Sequence, residues 1–341
     1  MRILLAIARH DYGRVERGDS YEYTSWFGPL VALGHDVEVF DTFGPEWAGN
    51  PSAAEDALLA AASVHRSDLV LMMLMEQEIP MTAVDRLRRT CAVANWFADD
   101  TWRFWAFSRH IAHHFNWVVT TSQKAKTAYD RMPGVCAVLS PWGYDPAVFH
   151  PVDVEPIIDV GFVGQRHGRR GKIIDRLEAE GLSVTTRGTG WPAGRIATEA
   201  LAAQFASTRV NLNFLESSAG PFQRLGIRRR GTTRADRMIT NVIPPPRQLK
   251  ARPFEITACG GFLLTNTLPE LHKYLIPGRE MGVFEREPEL RRVIDYYLEH
   301  DHERREIARA GMERASEYSW TRLLAGLLEG AAQGTWPLGS P

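Results

Sequence analysis

The run Lys250-Ala251-Arg252-Pro253-Phe254-Glu255-Ile256-Thr257-Ala258-Cys259-Gly260-Gly261-Phe262-Leu263-Leu264-Thr265-Asn266 sets two cations before a short helical stretch, one carboxylate inside it, and a glycine pair before an apolar strand. Pro253 suits a first helical position, where no donor is lost, and Gly260-Gly261 can supply the positive-φ stop. The helix then begins with free N–H groups beside Lys250 and Arg252, an arrangement that favours a phosphate by about 0.3–2 kcal/mol for the dipole alone. Glu255, at the third helical position, is repelled by phosphate and suits an adjoining vicinal diol, such as that of a ribose, whose hydroxyls it accepts from. The plainer alternative is that the dipole and a reach-back hydrogen bond favour a glutamate there. Thr265 and Asn266 end the strand and belong with the same candidate donor site.

A second anion motif lies earlier. Gly161-Phe162-Val163-Gly164 closes an apolar strand, and Gln165 to Lys172 follows with Arg166, Arg169, Arg170 and Lys172. Glycines there allow close backbone approach, and a charge-assisted bond from arginine is worth about 1.5–3 kcal/mol when water is excluded. A solvated basic turn leading into a helix is the competing reading. Between Glu216 and Glu255 lie nine cations and one acid, Asp236, although the whole chain carries only −1. The charge is local, so one anion site is implied rather than a nucleic-acid or membrane-binding surface. Lys250 and Arg252 rank above Arg228-Arg229-Arg230 for a diphosphate, because that run has no rigid element beneath it.

In the first half, His10-Asp11 follows the first apolar strand and Asp99-Asp100 the fourth. An acceptor hydroxyl loses its proton to a base at such strand ends, so Asp100, Asp99 and His10 are candidate catalytic residues, with helix capping or a structural ion pair as the alternative for each. Asp99-Asp100 lacks the bracketed residue of a metal-binding Asp-x-Asp. His113-His114 are adjacent and cannot both face one ligand from a helix, and no metal is expected. Trp96, Phe97, Trp102, Phe104, Trp105 and Phe107 form mostly core, with an acceptor wall as the second reading. Cys91, Cys136 and Cys259 are far apart without Cys-x-x-Cys spacing, which argues against a zinc site or disulfide framework, and Cys91 and Cys259 read as inert thiols in apolar runs.

The elements that carry these residues alternate. Six apolar runs, at 3–8, 35–40, 68–74, 91–97, 117–121 and 135–139, are spaced by helical patterns, and a second series runs through 157–163, 183–187, 209–214, 262–265 and 281–284. Such alternation predicts two parallel, doubly wound sheets, and 341 residues suit two domains. The Pro/Gly-rich stretch from Pro141 to Pro151 separates them, giving an N-terminal domain over 1–150 and a second over 151–318. Helices are expected at 288–299, 302–318 and 320–329, the last capped by Ser319, with a tail after Gly334. No Gly-x-Gly-x-x-Gly follows the first strand, which disfavours a dehydrogenase site. The N-terminal apolar run stops at Arg9-His10-Asp11, and no stretch reaches the ~18 residues of a span, so a cytoplasmic protein is expected.

The Lys250–Asn266 run, with Leu271, Pro277-Gly278-Arg279-Glu280 and the helical region through Trp320, resembles the C-terminal domain of the spore-maturation CgeB-like glycosyltransferases. The likeness extends to 159–177, to Ser207–Phe214 and to Trp96–Phe104. It implies an α/β protein of GT-B architecture, with two Rossmann-like domains, acceptor-side over 1–150 and nucleotide-sugar-binding over 151–318, whose parallel sheets face across a cleft, and a C-terminal helix over 319–333 packing back on the N-terminal domain. It further implies a metal-independent, hexosyltransferase-like enzyme moving a sugar from a nucleoside-diphosphate sugar to a hydroxyl-bearing small molecule or glycan, with no separate cofactor. In the wider retaining group, the glutamate matched by Glu255 binds the donor ribose and one eight residues earlier contacts the sugar. Here that position is Arg247. The stereochemical course stays open, since an inverting enzyme would use one of the bases above and a retaining one the donor phosphate. A non-catalytic nucleotide-sugar-binding protein and a GT-B nucleotide-sugar epimerase are the alternative functions.

Overall fold

The computed structural model describes residues 1–47, 49–76, 78–217 and 246–332, with side chains through 330. The Arg228-Arg229-Arg230 run and the tail after Gly334 lie outside the described residues. The chain divides into two compact units, one holding Met1–Ser140 and the helix that starts at Trp320, the other running from Pro141 through Ser319.

The first unit is a six-stranded, all-parallel sheet of β1 (Arg2–Ile7), β2 (Asp36–Asp41), β3 (Leu69–Met72), β4 (Ala92–Phe97), β5 (Trp117–Thr120) and β6 (Ala137–Leu139), in the order β2-β1-β3-β4-β5-β6. β1 and β3 are buried along almost their whole length, as expected of strands covered on both faces. Helix α1 (Tyr21–Ala32) begins at a Ser20 cap whose hydroxyl accepts from Tyr23 N–H, and α2 (Pro51–His65) at an Asn50 cap. α3 (Met81–Leu87) precedes β4. After β4 come the short α4 (Asp100–Arg103), a π turn (Phe104–Ser108) and α5 (Arg109–Ile111); α6 (Gln123–Tyr129) follows Ser122, which caps it as the sequence predicts.

The second unit is a five-stranded parallel sheet of β7 (Ile158–Val163), β8 (Thr185–Arg187), β9 (Thr208–Asn213), β10 (Leu263–Asn266) and β11 (Gly282–Phe284), in the order β11-β10-β9-β7-β8. Its helices are α7 (Arg170–Ala179), α8 (Leu201–Ala206), α9 (Arg252–Ala258), α10 (Leu290–Glu299) and α11 (Asp301–Ala315). Ile173, Ile174 and Leu177 of α7 and Leu290 and Ile294 of α10 pack on Val160, Phe162, Val210, Leu212 and Leu264 of the sheet to form its core. Each strand expected from the sequence is present, within a few residues of the expected bounds.

The final helix, α12 (Trp320–Ala332), belongs to the first unit. Its Trp320 lies edge-on to Trp96 of β4 at 5.2 Å and to Trp26 of α1 at 6.0 Å, and all three indoles are fully buried. Edge-to-face geometry is the arrangement that aromatic quadrupoles favour. Trp96, Phe97 and Phe104 are thus core, whereas Trp105 on the π turn is 68% exposed.

Candidate active site

In an open parallel sheet, ligands bind beyond the carboxyl ends of the strands where the strand order reverses. In the second unit that point lies between β7 and β9, whose register pairs Val160 with Val210 and Phe162 with Leu212. The loop after β7 is Gly164–Arg169 and the segment after β9 is Phe214–Ser217. Arg170, the first residue of α7, bridges the two: its guanidinium donates to the carbonyls of Phe214 at 3.3 Å and Glu216 at 3.4 Å. Lys250 Nζ donates to the same Glu216 carbonyl at 2.6 Å.

The glycine loop is held by main-chain bonds that leave little room. Gly164 N–H donates to Arg187 O at 2.9 Å, Arg166 N–H to Thr189 O at 2.9 Å, and Trp191 Nε1 to Gly164 O at 2.8 Å. Gly188, at φ +128°, approaches so closely that a Cβ there would sit 2.3 Å from Gly164 O. Gln165 is exposed on this loop. The loop cations divide in their employment. Arg166 pairs with Asp175 at 2.7 Å beneath its stack on Trp191, and Arg169 pairs with Glu287 at 2.7 Å. Arg170 instead reaches the strand ends, and Lys172 is exposed on α7.

The electrostatics of this point are those of crowded cations. Burial lowers the Arg170 guanidinium below its ordinary range and the nearby Arg252 lowers it further, while Glu216 acts in the opposite sense. His167, a residue the sequence reading passed over between Arg166 and Gly168, is lowered by burial and then by Arg170 and Lys250. Its signal was its place in the basic loop. An anion seated here would relieve repulsion among Arg170, Lys250 and Arg252 and would favour the protonated form of His167.

Helix α9 starts one residue earlier than expected, at Arg252, so Pro253 is its second residue and Glu255 its fourth. Glu255 does not take the third-position capping geometry. Its carboxylate is 4% exposed and pairs with Arg252 at 2.6 Å; burial raises its pKa and Arg252 pulls it back. Arg252 in turn lies over the Phe205 ring at 5.2 Å. Arg247, where the resemblance places a sugar-contacting glutamate, donates to the carbonyls of Thr267 at 2.8 Å and Glu285 at 3.4 Å and ties the ends of β10 and β11.

Four of the expected donor residues serve the scaffold. Gly260, at φ +75°, terminates α9, and Gly261 lies against Asn211 Nδ2 and Phe205 O so closely that a Cβ would approach within 2.9 and 3.0 Å. Both precede β10, at the opposite end of the strand from the cations. Thr265 is fully buried and accepts from Asn213 Nδ2 at 3.0 Å. Asn266, 1% exposed, accepts from Leu215 N–H at 2.9 Å and donates to Glu216 Oε1 at 2.6 Å, so both ends of its amide are used.

The first unit also reverses its strand order, between β1 and β3. His10 follows β1 in a loop clasped by its backbone bridge to Asp19, with Nδ1 3.7 Å from the Asp19 carboxylate, and Arg9 pairs with that same carboxylate. Asp99 is half-buried in a small crevice with Leu74, Phe97, Arg103 and Phe107. Asp100 is different. It is 2% exposed, accepts from Tyr129 Oη at 3.1 Å, and has Oδ1 without a hydrogen-bond partner; burial pushes it to about 7 against the pull of nearby hydroxyls. Asp100 is thus an enclosed carboxyl bonded to Tyr129, whereas Asp99 and His10 are each partly exposed. Glu22, in the first turn of α1, is a second buried carboxyl raised to about 7, by burial and then by Asp11 and Glu78, and it was not legible as such in the sequence.

Residues 169–329 match a family model described as glycosyl transferase-like. A search of the curated proteins by sequence returned none that matches. Among solved structures, sucrose-phosphate synthase from Thermosynechococcus elongatus is similar with a TM-score of 0.67 and 14% identity, over 98% of this chain and 100% of that one. Anabaena HepE, solved in complex with UDP, gives 0.60 and 12% over 98% and 100%. A glycosyltransferase from Rickettsia africae gives 0.63 and 11% over 97% and 98%. The fold is GT-B. In this GT-B chain the glycosyl transferase-like match opens at Arg169, beside the residue that bridges β7 and β9, and takes in Lys250, Arg252 and Glu255. Among the described residues no helix is long and apolar enough to cross a membrane.

Proposed function

We propose that the protein is a glycosyltransferase that transfers a hexose from a nucleoside-diphosphate sugar to a hydroxyl-bearing acceptor. The observation that carries this reading is the meeting of Arg170 and Lys250 on the Glu216 carbonyl at the β7–β9 reversal of the unit that matches a glycosyl transferase-like family. HepE, solved with UDP-glucose, shares the fold. Arg170, Lys250, Arg252 and His167 surround the diphosphate, and the main chain at Gln165 approaches it; Glu255 accepts from the ribose diol. As the glycosidic bond breaks, negative charge grows on the departing diphosphate, and fixed cations that stabilise it more than the intact donor lower the barrier. These side chains provide the charge that a metal ion supplies elsewhere, so the reaction proceeds without one. In the first unit Asp99 and His10 are the groups positioned to receive the acceptor's proton. The motif run at 250–266 supports placement in the CgeB-like subgroup.

The test is release of nucleoside diphosphate from UDP-glucose, GDP-mannose and dTDP-glucose, with glucose, glycerol and a phenolic glycoside as acceptors, with and without EDTA. Acceptor-stimulated release that persists in EDTA is expected. Release abolished by EDTA and restored by a divalent cation contradicts metal independence, and donor binding without release favours the non-catalytic alternative.

A further inference from the structure

Two carboxylates flank the cations of the proposed donor site, and Glu255 is one of them. The other is Glu216, at the end of the segment that leaves β9. Its main chain is pinned by Lys250, by Arg170 and by a backbone bridge to Arg247. Its side chain is pinned at one oxygen: Oε1 accepts from Asn266 Nδ2 at 2.6 Å and lies 4.0 Å from Arg247 Nε. The orientation of that amide is fixed, because Asn266 Oδ1 already accepts from Leu215 N–H at 2.9 Å. The Glu216 side chain nevertheless keeps 22% of its surface exposed, and Arg170 and Lys250 donate to its main-chain carbonyl. A carboxylate held at one oxygen by an amide, with a guanidinium 4.0 Å away and part of its surface exposed, is an acceptor for hydroxyl groups.

The arrangement across the site is carboxylate, cations, carboxylate. Glu255 sits on Arg252; Arg252 and Arg170 repel one another; Arg170 and Lys250 meet on Glu216. A sugar nucleotide has the same sequence of chemistry, with a polyol on each side of a diphosphate. With the ribose at Glu255, the polyol on the far side of the cations is the transferred sugar. We infer that Glu216 is a specificity-determining residue that accepts hydrogen bonds from hydroxyls of the transferred sugar, with Asn266 as its positioning residue.

This rests on the proposed donor site, and the experiment separates the two. Calorimetry would give the affinities of UDP, GDP and dTDP, and of their glucose, galactose and N-acetylglucosamine or mannose conjugates, for the wild type and for Glu216→Gln. The expected result is an affinity for the bare diphosphate within about twofold of wild type, with the preference among sugar conjugates, or the conjugate-to-diphosphate ratio, shifted about tenfold or more. Asn266→Ala, which leaves the Glu216 charge in place but unheld, shifts the same ratio to a smaller extent. An unchanged ratio in Glu216→Gln overturns the inference, as does a parallel loss of diphosphate and conjugate, which would make Glu216 a strut for Lys250 and Arg170. Failure of every diphosphate to bind the wild type overturns the donor-site reading itself.

Discussion

Lys250 and Arg170 illustrate how much of a site is set by what a charge touches rather than by its presence. Both reach one carbonyl oxygen, whereas Arg166, Arg169 and Arg247 are committed to carboxylates and carbonyls of the scaffold. Among the titratable groups of the first unit, Asp100 makes the sharpest forecast. Its pKa is raised to about 7 in the folded chain, above the ~3.9 of a free aspartate. The protonated form is therefore favoured by folding, and its stabilising contribution is full below about pH 4 and is lost as pH rises through about 7. Thermal melting between about pH 4 and 7 should show this contribution as stability falling with pH and levelling off above about 7, and Asp100→Asn should flatten that fall without abolishing it, because Glu22 behaves alike. A variant whose melting temperature falls as steeply as the wild type's would show that Asp100 does not titrate there. The sequence showed Asp100 at the end of a strand but not that Tyr129, a helix further on, encloses it; burial of a short acidic residue depends on distant packing. The same limit applied to Asn266 and Thr265, whose side chains are spent on Glu216, Leu215 and Asn213.

At the scale of elements, apolar runs bounded by glycine, proline and polar clusters were sufficient to mark the strands, since a parallel strand buried on both faces leaves little else in its sequence. Helix starts were less legible. α1 begins at Tyr21 because Ser20 caps it, several residues before the apolar run from Trp26, and α9 takes in Arg252 ahead of its proline. The π turn at Phe104–Ser108 has no sequence signature of its own. The attachment of α12 is a matter of three indoles. Trp320→Ala removes a fully buried ring that touches Trp26 and Trp96, and should destabilise the first unit by about 3–5 kcal/mol. Urea denaturation followed by tryptophan fluorescence measures it; a loss below about 1 kcal/mol would mean that α12 contributes little to that unit's core.

At the scale of the whole chain, two parallel sheets each reverse their strand order once, and each reversal collects the residues with chemistry to offer. In the first unit these are the loop of His10, with Asp99 at the end of β4 on the far side of β3; in the second they are Gly164–Arg170, the Phe214–Glu216 segment and Lys250. The GT-B architecture was legible from strand alternation and the motif run together. The roles of Glu216 and His167 were not, because neither belongs to a spaced motif and each gains its meaning from residues on other elements. On the proposed function the second unit holds a nucleoside diphosphate on Arg170 and Lys250. The most direct test of that reading is calorimetric titration of UDP, GDP and dTDP into the wild type and into Arg170→Ala. At least one diphosphate is expected to bind the wild type, with an affinity about tenfold or more lower in the variant, as follows from loss of a charge-assisted contact. Binding that is undiminished in Arg170→Ala, or no binding of any of the three to the folded wild type, would contradict it.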